Sequence, residues 1–209
     1  MKKSKKIALL GAVMAMFVAA NATSYETGAN APAFVNFESA HVSPVAMTPD
    51  GAKLLVVNTA DNRLEIFSLT GSQPTSIGSV PVGLEPVSVR ARSNTEAWVV
   101  NHLSDTVSVV NLNNFVVVST LATADEPEDV VFAGTPERAF VSCSQPSKVL
   151  VFDPANLATA PTEIAIEGKD PRMMTVSPSR DKVYVAIFNS GNQSTALGSH
   201  ASGTPVNNA

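Results

Sequence analysis

From Pro44 onward, short apolar runs alternate with polar turns, and the alternation itself repeats. Pro44, Pro86, Pro127 and Pro171 stand 42, 41 and 44 residues apart. Each proline opens a β-type segment: Val45-Ala46-Met47, Val87-Ser88-Val89, Asp129-Val130-Val131-Phe132 and Met173-Met174-Thr175-Val176. A turn follows, clearest at Thr48-Pro49-Asp50-Gly51, where Pro presets φ and Gly accepts a positive one. Second strands are expected at 54–58, 97–101, 139–142 and 183–186, and third strands at 64–67, 107–110 and 149–152. Fourth strands fit near 75–82, 115–121 and 162–167. Val, Ile and Phe dominate, as pleated half-buried surfaces require. Four short strands in about 42 residues, recurring in phase, predict the blades of an all-β propeller. A β-sandwich also uses short strands but needs no such recurrence.

The first residues follow a different pattern. Lys2, Lys3, Lys5 and Lys6 precede an apolar run from Ile7 to Ala20, and Ala20-Asn21-Ala22 closes it with small residues. This is the three-part form of a signal peptide, with cleavage expected after Ala22. The run is too short for the roughly 20 residues of a membrane-spanning helix, and no cysteine follows it to carry a lipid. Export to the periplasm or cell surface is therefore expected. The leader holds four of the 14 basic residues and none of the 18 acidic ones, so cleavage moves the formal charge from −4 to −8. Such a chain is a poor partner for nucleic acid, whose phosphates need Lys and Arg. It also has no basic amphipathic stretch for a membrane surface. Cys143 has no second cysteine to pair with and reads as a small strand residue.

Two segments carry a family resemblance. Val56-Val57-Asn58-Thr59-Ala60-Asp61-Asn62-Arg63-Leu64-Glu65-Ile66-Phe67 and its counterpart Val99 to Val110 resemble the Tyr-Val-Thr-Asn (YVTN) β-propeller repeat. The likeness extends over roughly Pro44 to Asn189, with Ser142-Cys143 and Ala186-Ile187-Phe188-Asn189 departing from the pattern. It implies the propeller fold, commonly of seven blades, but no single activity. By this reading the chain is organised as leader (1–22), lead-in (23–43), blades (44–189) and a flexible polar tail (190–209). The fourth blade lacks its outer strands. Either the chain is an N-terminal fragment, or Pro32 to Phe37 adds a strand that closes a small four-bladed ring.

Strand alternation brings the entry to each blade and the turn between its second and third strands to one face. Glu85, Glu126 and Asp170, each directly before a blade proline, form the expected carboxylate rim. Oxygen ligands of this kind suit a hard cation such as calcium, although acids before proline are also ordinary turn formers. His41, Asn58, Asn62, His102, Asp105 and Arg172 are expected on the same face as ligand candidates. The chain has no Gly-x-Ser-x-Gly elbow, His-Glu-x-x-His motif or phosphate loop. The expectation is a non-catalytic propeller that presents this face to a protein or glycan. The alternative is a metal-assisted hydrolase of the propeller lactonase type on the Glu85/Glu126/Asp170 rim.

Overall fold

The computed structural model describes residues 39–189, so the leader, most of the lead-in and the polar tail lie outside the described residues. Three four-stranded antiparallel sheets follow one another along the chain. The first holds β1 (Val45–Met47), β2 (Lys53–Asn58), β3 (Arg63–Ser68) and β4 (Thr75–Pro81). The second holds β5 (Pro86–Ala91), β6 (Glu96–Asn101), β7 (Thr106–Asn111) and β8 (Val116–Ala122). The third holds β9 (Pro127–Ala133), β10 (Arg138–Cys143), β11 (Lys148–Phe152) and β12 (Thr162–Ala165). A two-stranded sheet of β13 (Lys169–Val176) and β14 (Val183–Asn189) completes the series. Within each sheet every strand pairs with the next in sequence, and no helix occurs among the described residues.

The sheets pack face on face, and side-chain alternation explains how one blade serves two neighbours. From β6, Ala97 and Val99 join Leu55, Val57, Leu64 and Ile66 of the first sheet. Trp98 and Val100, pointing the other way, join Phe132, Ala139 and Val141 of the third. Trp98 is fully buried, its ring 5.4 Å from that of Phe132 at 90° and 6.3 Å from that of Phe152. Its indole N–H donates to Glu96 Oε1 at 2.9 Å. Cys143 lies in the same cluster, and burial pushes its thiol up to about 12, which makes it an inert packing group. On β14, Val183 and Val185 pack toward the third sheet, whereas Tyr184 and Phe188 on the other face are 55% and 70% exposed.

The inner strands β5, β9 and β13 and the segment leading into β1 meet around one buried carboxylate. Asp129 Oδ1 accepts from Arg90 Nε at 3.2 Å and from the Val130 N–H at 2.9 Å. Its Oδ2 accepts from Arg90 Nη2 and from the Met174 N–H, both at 2.9 Å, and from Ser43 Oγ at 3.4 Å. The Asp129 N–H donates to Ser142 Oγ, which donates in turn to the Arg172 carbonyl at 2.6 Å. One fully buried side chain thereby touches the second and fourth sheets and the segment leading into the first. Removing one partner of a buried, hydrogen-bonded charge pair costs about 3–5 kcal/mol. Asp129→Ala should lose stability on that scale in urea unfolding. Met173→Ala, at the half-exposed equivalent position one repeat later, should stay within ~0.5 kcal/mol of the parent.

Candidate functional site

The acids before the blade prolines have a backbone role. Glu85, Glu126 and Asp170 take φ values of 50°, 52° and 59°, in the left-handed region that proline-preceding residues rarely enter. Two of these kinks are locked by the turn of the preceding blade. Asn62 Oδ1 accepts the Glu85 N–H at 2.7 Å, and Asp105 Oδ1 accepts the Glu126 N–H at 3.0 Å. The clasp is completed from the other side: His102 N–H donates to the Glu85 carbonyl and Ser144 N–H to that of Glu126, both at 2.9 Å. Gly83, just before Glu85, is pressed so closely by Ser104 that a Cβ there would collide, and it would also stand 2.6 Å from Asn101. The blade entries and the β2–β3, β6–β7 and β10–β11 turns thus share one rim.

The carboxylates are each engaged locally. Glu85 Oε2 accepts from the N–H and hydroxyl of Ser39, Glu126 Oε2 from Ser144 Oγ at 2.9 Å, and Asp170 Oδ2 from the Asn189 amide. Among the described residues no three His, Cys, Asp or Glu side chains stand together as a group able to hold a metal, so Glu85, Glu126 and Asp170 do not make one. Of the remaining candidates, His41 Nε2 meets Thr59 Oγ1 at 2.5 Å, and Asn58 caps its own turn through Asp61. Asn62 and Asp105 are occupied by the clasps. His102 and Arg172 are brought together.

What joins them is Glu128, a residue the repeat pattern did not single out. It is 3% exposed at the start of β9. Its Oε2 lies 3.9 Å from His102 Nδ1 and its Oε1 lies 3.8 Å from Arg172 Nε. These are ion-pair distances too long for direct hydrogen bonds. Arg172 Nε is buried with no hydrogen-bond partner, and its guanidinium carbon lies 4.8 Å from the centre of the Phe188 ring. Burial pushes the Glu128 carboxyl upward from its ordinary value, opposed by His102 and Arg172. A signal for this cluster was present in the chain. The position after each blade proline reads Val45, Val87, Glu128 and Arg172, so an acid and a base replace valine in consecutive repeats.

No family model matches the chain, and no curated protein matches it. Solved structures do. Hydrazine synthase from Kuenenia stuttgartiensis is 20% identical, with a TM-score of 0.65 over 80% of this chain and 48% of that one. A putative 6-phosphogluconolactonase from Bacteroides uniformis ATCC 8492 is 16% identical, with a TM-score of 0.63 over 85% and 56%. The Pseudomonas aeruginosa periplasmic gluconolactonase PpgL is 19% identical, with a TM-score of 0.58 over 79% and 52%. The fold is a β-propeller of four-stranded blades. This chain spans about half the length of the solved chains it matches.

An acid with a raised folded-state pKa binds more protons folded than unfolded. Its contribution is present while it stays protonated and is lost as pH rises through the folded value. Glu128→Gln cannot ionise and escapes that loss. Urea unfolding at pH ~4 and ~7 should show Glu128→Gln gaining on the parent as pH rises. A difference that stays flat with pH would mean the carboxyl is not shifted upward.

Proposed function

We propose that the chain is an exported binding propeller whose rim of blade entries receives a protein or glycan partner. The observation that carries this reading is an apolar pair on a rigid scaffold. Leu84 and Leu103, 49% and 59% exposed, are joined by a Leu103 N–H to Leu84 carbonyl bond at 3.3 Å. They sit on the clasped entry loops beside His102. Fixed loops lose little conformational freedom on binding, and an apolar centre with an ionic edge is the usual make-up of an interface. The leader supports export. In a test on glycan arrays and on envelope extract, immobilised protein should retain a defined component, and Leu103→Glu should release it without changing the melting temperature. Identical retention by Leu103→Glu would remove the rim from the binding surface.

A second reading, hydrolysis of a small cyclic ester, is favoured by the Glu128 cluster and supported by the lactonase names of two matched structures. In it Glu128 takes the proton of an attacking water, Arg172 faces the oxyanion, and His102 protonates the departing ring oxygen, leaving a hydroxy acid. A calcium-assisted form on Glu85, Glu126 and Asp170 would first require those side chains to leave their present partners. The reading expects gluconolactone hydrolysis without added divalent ion, and Glu128→Gln should slow it about 100-fold. Turnover unaffected by that substitution would dismiss it.

A further inference from the structure

The inner strands wall a cavity of about 700 Å³ that none of Glu128, His102 and Arg172 lines. That size is ordinary for a small-molecule site, which spans roughly 300–1,000 Å³. Its wall is largely apolar. Val45, Met47 and Met173 line it and are 52%, 61% and 50% exposed, an unusual amount of apolar surface to leave wet. The two methionines are unbranched and adapt to ligand shape.

The charge lining the cavity has one sign. Among the described residues Arg90 and Arg180 belong to the wall and no carboxylate does. Asp129 holds Arg90 through Nε and Nη2, which leaves Nη1 donating to no described residue. The Asp129 carboxylate is fully buried behind the guanidinium, with both oxygens saturated. The pair is therefore a dipole that turns its positive end to the cavity. Arg180 is fixed similarly, its Nη2 donating to the Phe132 carbonyl at 2.9 Å and to Glu137 at 3.3 Å.

We propose that this cavity binds a monocarboxylate with an apolar tail. The carboxylate sits against the outward edge of Arg90, with Arg180 as a second cation, and the tail covers Val45, Met47 and Met173. A guanidinium held by a buried acid keeps its orientation, which suits a planar carboxylate better than a mobile ammonium would. The site is separate from the rim, so binding here and binding there fail independently.

The probe is decanoate, titrated calorimetrically into the full chain beside decyltrimethylammonium and acetate. Decanoate should bind about tenfold more tightly than the cation, whose tail is one carbon longer, and acetate should give no saturable heat. Met173→Glu places an acid at a half-exposed wall position and should weaken decanoate about tenfold. Arg180→Gln should weaken it several-fold with an unchanged melting temperature. The proposal is overturned by equal affinity for both head groups, by no decanoate binding, or by affinity untouched in both variants. The head-group comparison needs no variant, so it decides the matter even if a substitution unfolds the chain.

Discussion

The inner strands of this fold converge on an axis where their inner backbone edges, apart from the bonds of β5 to Val42 and Ser43, meet no further strand, and Asp129 is the main answer to that constraint. An unpaired buried N–H or C=O costs as much as a lost hydrogen bond. Here side chains supply the missing partners across blades. Asp129 takes the Met174 N–H, Ser88 Oγ donates to the Glu128 carbonyl, Ser142 Oγ to that of Arg172 and Thr59 Oγ1 to that of Pro86. A carboxylate can accept several donors at once, and Arg90 neutralises the charge that burial would otherwise make prohibitive. The apolar clusters hold neighbouring sheets together in pairs. Asp129, together with the Arg90 it holds, ties the lead-in to the first sheet, the second sheet and the fourth.

The same strand sets out the candidate chemistry. A bulge at Glu128 offsets β9 against Ser142 and Cys143 of β10, and Asp129 reaches Arg90 and Met174 while the neighbouring Glu128 faces His102 and Arg172. Fixing one places the other. The Ser142 bridge from the Asp129 N–H to the Arg172 carbonyl holds the backbone of Arg172 in step with that of Glu128. His102 is brought to the pair by the clasp at Glu85 and by its own contact with the Pro127 carbonyl at 3.4 Å.

Much of the fold was legible because the proline spacing and the turn chemistry repeat: every expected strand overlaps an observed one, and only β13 and β14 run more than two residues past the expected bounds. The site was harder to read, for a physical reason. Glu85, Glu126 and Asp170 recur where the second, third and fourth blades share the same left-handed entry, so their recurrence reports backbone geometry. Chemistry lies in the departures from the repeat, where Glu128 and Arg172 replace valine and where Asp129 stands in the place of Ala46, Ser88 and Met173. Those departures are visible in the chain, but their partners are not. Arg90 lies 39 residues from Asp129 and Met174 lies 45 residues away, and only the packing of whole blades brings them together.

Burial along the series shows which part of the arc can support function unaided. All seven residues of β9 are buried, and five consecutive residues of β6 are wholly inaccessible, because these strands have blades on both sides. β2 buries alternate residues only, and β14 leaves Tyr184 and Phe188 in water, because each packs on one side among the described residues. A blade's rigidity follows its packing, so the ends of the arc are its softest parts. Glu128 and His102 stand on the third and second blades, in the doubly packed interior. Arg172 comes from β13, and its backbone is tied to the third blade through Ser142. The backbone of the cluster therefore takes its geometry from contacts that are complete within the described residues, whereas the Arg172 guanidinium lies against Phe188 on the exposed face of β14.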